Sequence, residues 1–473
     1  MADLHDLTAL EQAAAIRAGD VSAVDLTEHY ISRTQRLSEQ VGAFVTQAPE
    51  LALDQAKAAD ERVRAADVDD RLPTLLGVVC PVKDLDFVAG VPTRFGSTVY
   101  DITPEADANV VVRMRSGGLV FTGKTNTPEL GLPCYTESDV APPARSPWDL
   151  TKSAGGSSGG ASAAVAAGLA PVAHGSDGGG SIRIPAAVTG LVGIKPSRGR
   201  VSNGPLGDFV GDLGVKGPLA RTVADAAALL DVMSGSFPDD PLSAPAPRHG
   251  SFVDAAARSP HTCRIGFYTT PSLSEVSVHP AVIDAVTATV HALEALGHEL
   301  VEIDPPFDTS LLPLFMTLWS SMALLAPIDP ELEPQLRPLT RYLRDRGREV
   351  SGHELAAAVS LLRINSRAAL TSTSEFDAVL APTLADVPAA VGQQRNDADP
   401  ARDFADQVDY SPYCAAYNVT GQPAINVPMN WTPDGLPVGV QLVGRMYDEE
   451  TIISLAAQLE MSHSWLDRRP VMW

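Results

Sequence analysis

The chain has 473 residues, 45% of them hydrophobic and 20% charged, with 37 glycines and 38 prolines. This composition supplies a sizeable apolar core and is not that of a disordered chain. The net charge of −23 argues against a nucleic-acid partner, because neutralising phosphates needs clustered Lys and Arg.

The N-terminus is acidic, with neither a basic opening nor a continuous apolar stretch, so no signal or transit peptide is expected and a cytoplasmic location is inferred. No apolar run reaches the roughly 18 residues of a membrane span. Helices are expected over residues 10–18, closed by Gly19, and from Ser22, an N-cap with Asp25 in the first turn; a third is expected over 49–66. From Leu76 onward short apolar runs (GVVCPVKDL, GGLVFTGKT, GLAPVAHG, GLVGIKP) alternate with helical patterns such as 223–233. That alternation indicates an α/β fold whose strands are buried on both faces. Residues 238–260, rich in Pro, Asp and Ser, read as a surface connection. A strand (RIGFY), a helix over 280–296 closed by Gly297, a second strand (LVEID) and a helical stretch to about residue 376 follow. AVLAPTLA, PAINVPMN and PVGVQLVG read as strands returning to the same sheet. The expected organisation is one domain over 1–473: a helical layer (1–70), a core (71–235), a surface connection (236–262) and the remaining sheet and helices (263–473). Cys80, Cys134, Cys263 and Cys414 are scattered without CxxC spacing, which favours reduced thiols. No His/Cys/Asp/Glu grouping has metal-ligand spacing, so neither metal nor cofactor is expected.

The chemistry concentrates in residues 152–183, KSAGGSSGGASAAVAAGLAPVAHGSDGGGSIR, where two Gly-rich serine clusters flank an Ala-rich run. Ser157 and Ser181 suggest a nucleophile and a second hydroxyl on adjoining loops, and the N–H groups of Gly178, Gly179, Gly180 and Ser181 are candidates for an oxyanion hole. A flexible linker is the bland alternative, disfavoured because a helical pattern precedes Ser181 and a strand-like Ser-Ile-Arg-Ile-Pro continues it. Residues 118–125 fit the phosphate-loop pattern GxxxxGK[ST], but Leu119, Val120 and Phe121 form an apolar strand-like run where an open loop is needed, so Lys124 reads as a strand-end lysine. Residues 155–159 fit GxSxG, yet the preceding segment is polar and turn-like, and the histidine candidates are poor. His463, near Trp465, could serve as the late histidine, but the strand that should precede the elbow is missing, and His174 reads as a packed or capping residue. Lys83, at the end of an apolar run, is the better base if burial lowers its pKa by roughly two to three units.

Together Pro81-Val-Lys83-Asp84, Gly155-Gly-Ser157-Ser-Gly-Gly160, Gly175-Ser-Asp177-Gly-Gly-Gly-Ser181-Ile-Arg183-Ile-Pro185 and Gly193-Ile-Lys-Pro196 resemble the amidase signature family. The resemblance extends to Gly421-Gln-Pro-Ala-Ile-Asn-Val-Pro428 and Gly435-Leu-Pro-Val-Gly-Val-Gln441. It implies a large mixed β-sheet with helices on both faces and a Ser/cis-Ser/Lys triad: Ser181 as nucleophile, Ser157 after a cis peptide as bridge, Lys83 as base. Ser158, Asp177 and Arg183 match positions that orient these loops. Two departures stand near the substrate: Leu85 where the lysine motif usually continues with Asn, and Gly178 before the two oxyanion glycines. The tail is similar to the subgroup of 6-aminohexanoate cyclic dimer hydrolases. The implied reaction is hydrolysis of a small amide without cofactor; carbamate hydrolysis, a glutaminase subunit of a tRNA-dependent amidotransferase and a silent binding protein on the same scaffold are the alternatives. A homodimer is compatible with the sequence. Apolar segments at 130–140, 203–213 and 315–325 are expected to line the pocket and to favour aromatic or aliphatic acyl groups.

Overall fold

The computed structural model describes residues 3–67, 69–207 and 210–473. Its main sheet has eight strands in the order Glu299–Glu302, Arg264–Phe267, Ala378–Pro382, Pro437–Gly444, Ala424–Trp431, Val192–Lys195, Val215–Ala220, Val172–Asp177. The first three run parallel to one another and the remaining pairings are antiparallel, so the sheet is mixed. Because side chains alternate between faces, Ile425 and Val427 enter one core with Leu380, Val440 and Leu442, while Ala424, Val379 and Val443 enter the other. Helices Val223–Met233, Pro280–Ala295 and Glu449–Ser462 cover the first face; Leu311–Leu325, Pro338–Glu349 and Gly352–Ser372 build the second. A one-residue slip would exchange the two sets, and each large apolar side chain is worth roughly 1.5–3 kcal/mol of burial, so packing on both faces fixes the register.

The early helices form as their caps dictate. Ala9–Ala18 ends at Gly19 in the left-handed region, and Ser22 accepts the N–H of Asp25 to open Ala23–Val41. The carboxylate of Asp225 accepts the N–H groups of Ala9 and Leu10 at 2.9 and 3.0 Å, tying the helical layer to the helix Val223–Met233 that covers the sheet.

Four expectations are corrected. The segment after Ser181 is helical, Arg183–Thr189: the Asp177 carboxylate accepts the N–H groups of Ile182 and Arg183, and Pro185 sits in the first turn, where its missing N–H costs nothing. The connection at 236–262 contains a helix, Phe252–Ala257, whose Phe252 and Ala255 are buried in the first core. A short antiparallel ribbon, Arg145–Ser146 with Asp149–Ser153, stands before Ser157 where only turns were expected. Leu119, Val120 and Phe121 are buried but the strand itself is Gly123–Thr125, and Lys124 on it is a fully buried ion-pair partner rather than an ordinary strand-end lysine. All four cysteines are free thiols and buried. No helix among the described residues is long and apolar enough to cross a membrane.

Candidate active site

Three segments converge beside the edge strand Val172–Asp177. The two-residue strand Val82–Lys83 runs parallel to Gly123–Thr125 and is held against the edge strand through His174, whose backbone N–H donates to Pro81 O at 3.1 Å and whose ring Nδ1 accepts the Lys83 N–H at 3.3 Å. The turn carrying Ser157 precedes the helix Gly159–Ala166, and the loop carrying Ser181 leaves the end of the edge strand. Ser158 N–H donates to Ser181 O at 3.1 Å and so joins the two loops. The Gly156–Ser157 peptide is cis. A Cβ on Gly156 would lie 2.7 Å from the Tyr135 backbone, so only glycine fits there.

Lys83 Nζ lies 2.9 Å from Ser157 Oγ and 3.0 Å from Ser176 Oγ. Burial lowers its pKa to about 7, against the opposing charges of Asp177 and Asp86. Those two carboxylates are themselves engaged, Asp177 by Arg183 and Asp86 by Lys216, which limits their pull on the lysine proton. Lys195 is also buried and lowered to about 7, by burial and by Arg183. Its Nζ donates to Pro196 O, away from both serines. Hydrogen bonding to Ser157 therefore distinguishes Lys83 as the base candidate. Burial lowers His174 to about 4, so it is neutral above pH 5. With Nδ1 accepting from Lys83, its proton sits on Nε2, 3.5 Å from Asp86 Oδ2. His463 is exposed; its ring Nδ1 lies 3.0 Å from Ser462 Oγ and its backbone N–H donates to Leu459 O.

The loop from Asp177 to Arg183 is fixed by a buried polar network. Arg183 pairs with Asp177 through two bonds of 3.0 Å, and both side chains are fully buried. Arg183 also donates to Gln441 and Asn418, while Asn418 donates back to the carbonyl and carboxylate of Asp177. Despite burial, the Arg183 guanidinium holds the Asp177 carboxyl well below the usual carboxylate range. Asp177 Oδ1 accepts the N–H of Gly180 at 2.7 Å, which removes Gly180 from the expected oxyanion donors. Gly180 shapes the loop instead, since its φ is 126° and a Cβ would meet Cys414 Cβ at 2.7 Å. Among the described residues the N–H groups of Gly178, Gly179 and Ser181 have no intramolecular acceptor outside regular secondary structure. Ser158 supports the site indirectly, since its Oγ bonds both N–H and C=O of Ser176.

Ser181 lines a cleft of about 510 Å³. All three expected segments contribute to it, through Leu130 to Leu132, through Asn203 and Pro205 to Gly207, and through Trp319, Met322 and Ala323. Asp208 and Phe209 of the second segment lie outside the described residues. Leu85, expected near the substrate, lines a fourth wall; sequence reasoning missed its other members, Phe87, Phe95, Tyr100 and Ile102, and the Asp86–Lys216 ion pair that also lines the cleft. It also missed Ser176, although Ser176 lies inside the Gly175–Asp177 motif. A smaller cavity of about 60 Å³ adjoins Ser181 on the other side, with Trp319 in the wall of both. Away from the cleft, His261, Cys263 and Asp377 gather within metal-ligating reach, contrary to the expectation drawn from spacing alone.

The family model described as Amidase matches residues 25–453. A Mycobacterium tuberculosis protein named "Putative amidase AmiB2" is 40% identical over 475 residues, with 99% of this chain and 98% of that protein covered. The 6-aminohexanoate-cyclic-dimer hydrolase of Paenarthrobacter ureafaciens is 34% identical over 486 residues, covering 98% of this chain and 96% of its own. A solved structure of a 6-aminohexanoate cyclic dimer hydrolase superposes with a TM-score of 0.92 at 31% identity and full coverage of both chains. With the mixed sheet, the two serine loops and the buried lysine in place, the chain belongs to the amidase signature family and is a hydrolase of carbon–nitrogen bonds other than peptide bonds.

Proposed function

We propose that this enzyme hydrolyses a neutral carboxylic amide through an acyl-enzyme on Ser181, with Ser157 as proton bridge and Lys83 as base. Neutral Lys83 takes the Ser157 proton while Ser157 takes that of Ser181, and Ser181 Oγ bonds to the carbonyl carbon. The carbonyl oxygen becomes an oxyanion facing the N–H groups of Gly178, Gly179 and Ser181. As the C–N bond breaks, the proton returns from Lys83 through Ser157 to the departing nitrogen. Water, activated by the same relay, then releases the acid and regenerates Ser181. The observation that carries this reading is the 2.9 Å contact between Ser157 Oγ and a buried lysine whose pKa is lowered to about 7.

The cleft favours an uncharged, flexible or aromatic acyl group. Its walls are largely Leu, Phe, Ile, Met and Trp side chains, and its charged groups are paired, Asp86 with Lys216 and Asp177 with Arg183. A glutaminase role fits less well, because the ammonium and carboxylate of glutamine would need charged partners of their own. The similarity to hydrolases of a cyclic aminohexanoate dimer supports amides with apolar chains. The test is a panel of anilides, linear aliphatic amides, aminohexanoate oligomers, carbamates and glutamine, assayed with the purified chain alone. Turnover of the neutral amides well above glutamine is expected. Glutamine or a carbamate as the preferred substrate would overturn the assignment.

A further inference from the structure

At the start of the strand Arg264–Phe267, three side chains come together that hydrolysis does not use. His261 and Cys263 are two residues apart, a spacing that puts side chains on one side of an extended chain. The parallel neighbour Ala378–Pro382 pairs Ala378 with Ile265, which brings Asp377 beside Arg264; the Arg264 N–H donates to Asp377 Oδ2 at 2.8 Å. His261 Nε2 is 3.8 Å from that oxygen and 4.0 Å from Cys263 Sγ. A tetrahedral zinc ion bound by N, O and S would set N···O and N···S separations of about 3.3 and about 3.6 Å. The histidine therefore has about half an ångström to close on each partner, all three ligating atoms lie within 4.8 Å of one another, and the His261 side chain, 68% exposed, is free to turn.

The surroundings also suit a cation. Arg445 pairs with Asp377 Oδ1 at 3.2 Å and orients the carboxylate, leaving Oδ2 toward the histidine. The Arg264 guanidinium is drawn away by Glu299 and Glu375.

We propose that His261, Cys263 and Asp377 form a binding site for one zinc-class divalent ion, completed by water and separate from the hydrolytic cleft. A nitrogen, a sulfur and a single carboxylate select a borderline-soft ion over calcium or magnesium, which take oxygen ligands.

Cobalt(II) is the probe, titrated into the full-length, chelator-treated protein and followed by absorption. A thiolate-to-cobalt charge-transfer band with the intense d–d bands of four-coordinate cobalt is expected, lost in Cys263→Ser. In His261→Ala, a change at an exposed side chain that should leave the fold intact, affinity should fall about tenfold or more. Zinc should displace the cobalt and leave amide hydrolysis by wild type and both variants unchanged. Absence of the charge-transfer band with wild type, its survival in Cys263→Ser, or full affinity in His261→Ala would each overturn the site.

Discussion

Raising the pH from 6 to 8 separates a buried lysine base from an ordinary one. With Lys83 lowered to about 7, its neutral fraction climbs from roughly 0.1 at pH 6 to roughly 0.9 at pH 8, so kcat/KM rises about tenfold and then levels. A lysine left near 10.4 would still gain about tenfold per unit through pH 9. The charged and titratable groups around it are each engaged: Asp177 is held by Arg183, Asp86 by Lys216, Lys124 by Asp84, and His174 is already neutral above pH 5. Removing one neutralising partner should move the limb in a known direction. In Lys216→Met the Asp86 carboxylate loses its cation, stabilises protonated Lys83, and should shift the limb upward by roughly one unit. The assay is kcat/KM for a neutral anilide between pH 5.5 and 9.5, with wild type, Lys216→Met and Lys83→Arg. Lys83→Arg should be inactive, because a guanidinium stays protonated. A rate still rising tenfold per unit above pH 8, or near-normal activity with an unchanged profile in Lys83→Arg, would refute Lys83 as the base.

Ser181→Ala should abolish turnover, while Ser157→Ala should retain a small residual rate because water can replace a bridging hydroxyl but not a nucleophile; single-turnover rates of the two variants check this. Lys83→Met should lose activity yet gain stability at low pH. Below about pH 7 both folded and unfolded lysine carry the proton and burial is fully opposed; between 7 and 10.5 only the unfolded chain does, so wild-type stability rises with pH. The variant's advantage, up to about 4–5 kcal/mol before the lost contacts to Ser157 and Ser176 are subtracted, should shrink between pH 7 and 9.5 in paired thermal melts; an advantage independent of pH would contradict burial of the amine as its cause. Gly180→Ala should lower both melting temperature and kcat, since its φ of 126° and the 2.7 Å approach to Cys414 strain the loop that presents Ser181; a variant matching wild type in both would show that the loop tolerates a side chain there.

Local signals made much of the fold legible. Gly19, Ser22 and Gly297 bound helices where capping chemistry places them, and the late apolar runs were recognisable as core strands. Lys83, Ser157 and Ser181 were legible as candidates because the residues around them form dense motifs. What escaped depends on partners distant in the chain. Asp86 meets Lys216 across 130 positions and Arg183 meets Gln441 across 258, neither with a local pattern to announce it. The helix after Ser181 was read as strand because Ile-Arg-Ile alternates in sequence, whereas its opening turn is capped by the Asp177 carboxylate. The metal-ligating cluster was invisible for the same reason, since Asp377 reaches His261 and Cys263 only through parallel strand pairing.

The central claim, that the acyl group is carried by Ser181, is tested most directly by mass spectrometry of enzyme acid-quenched during turnover of an activated anilide. Trypsin leaves both serines on one peptide, residues 153–183, so fragmentation must locate the adduct. The expected result is the mass of the acyl group on Ser181, absent from Ser181→Ala. An acyl group on Ser157, or undiminished hydrolysis by Ser181→Ala, would contradict it.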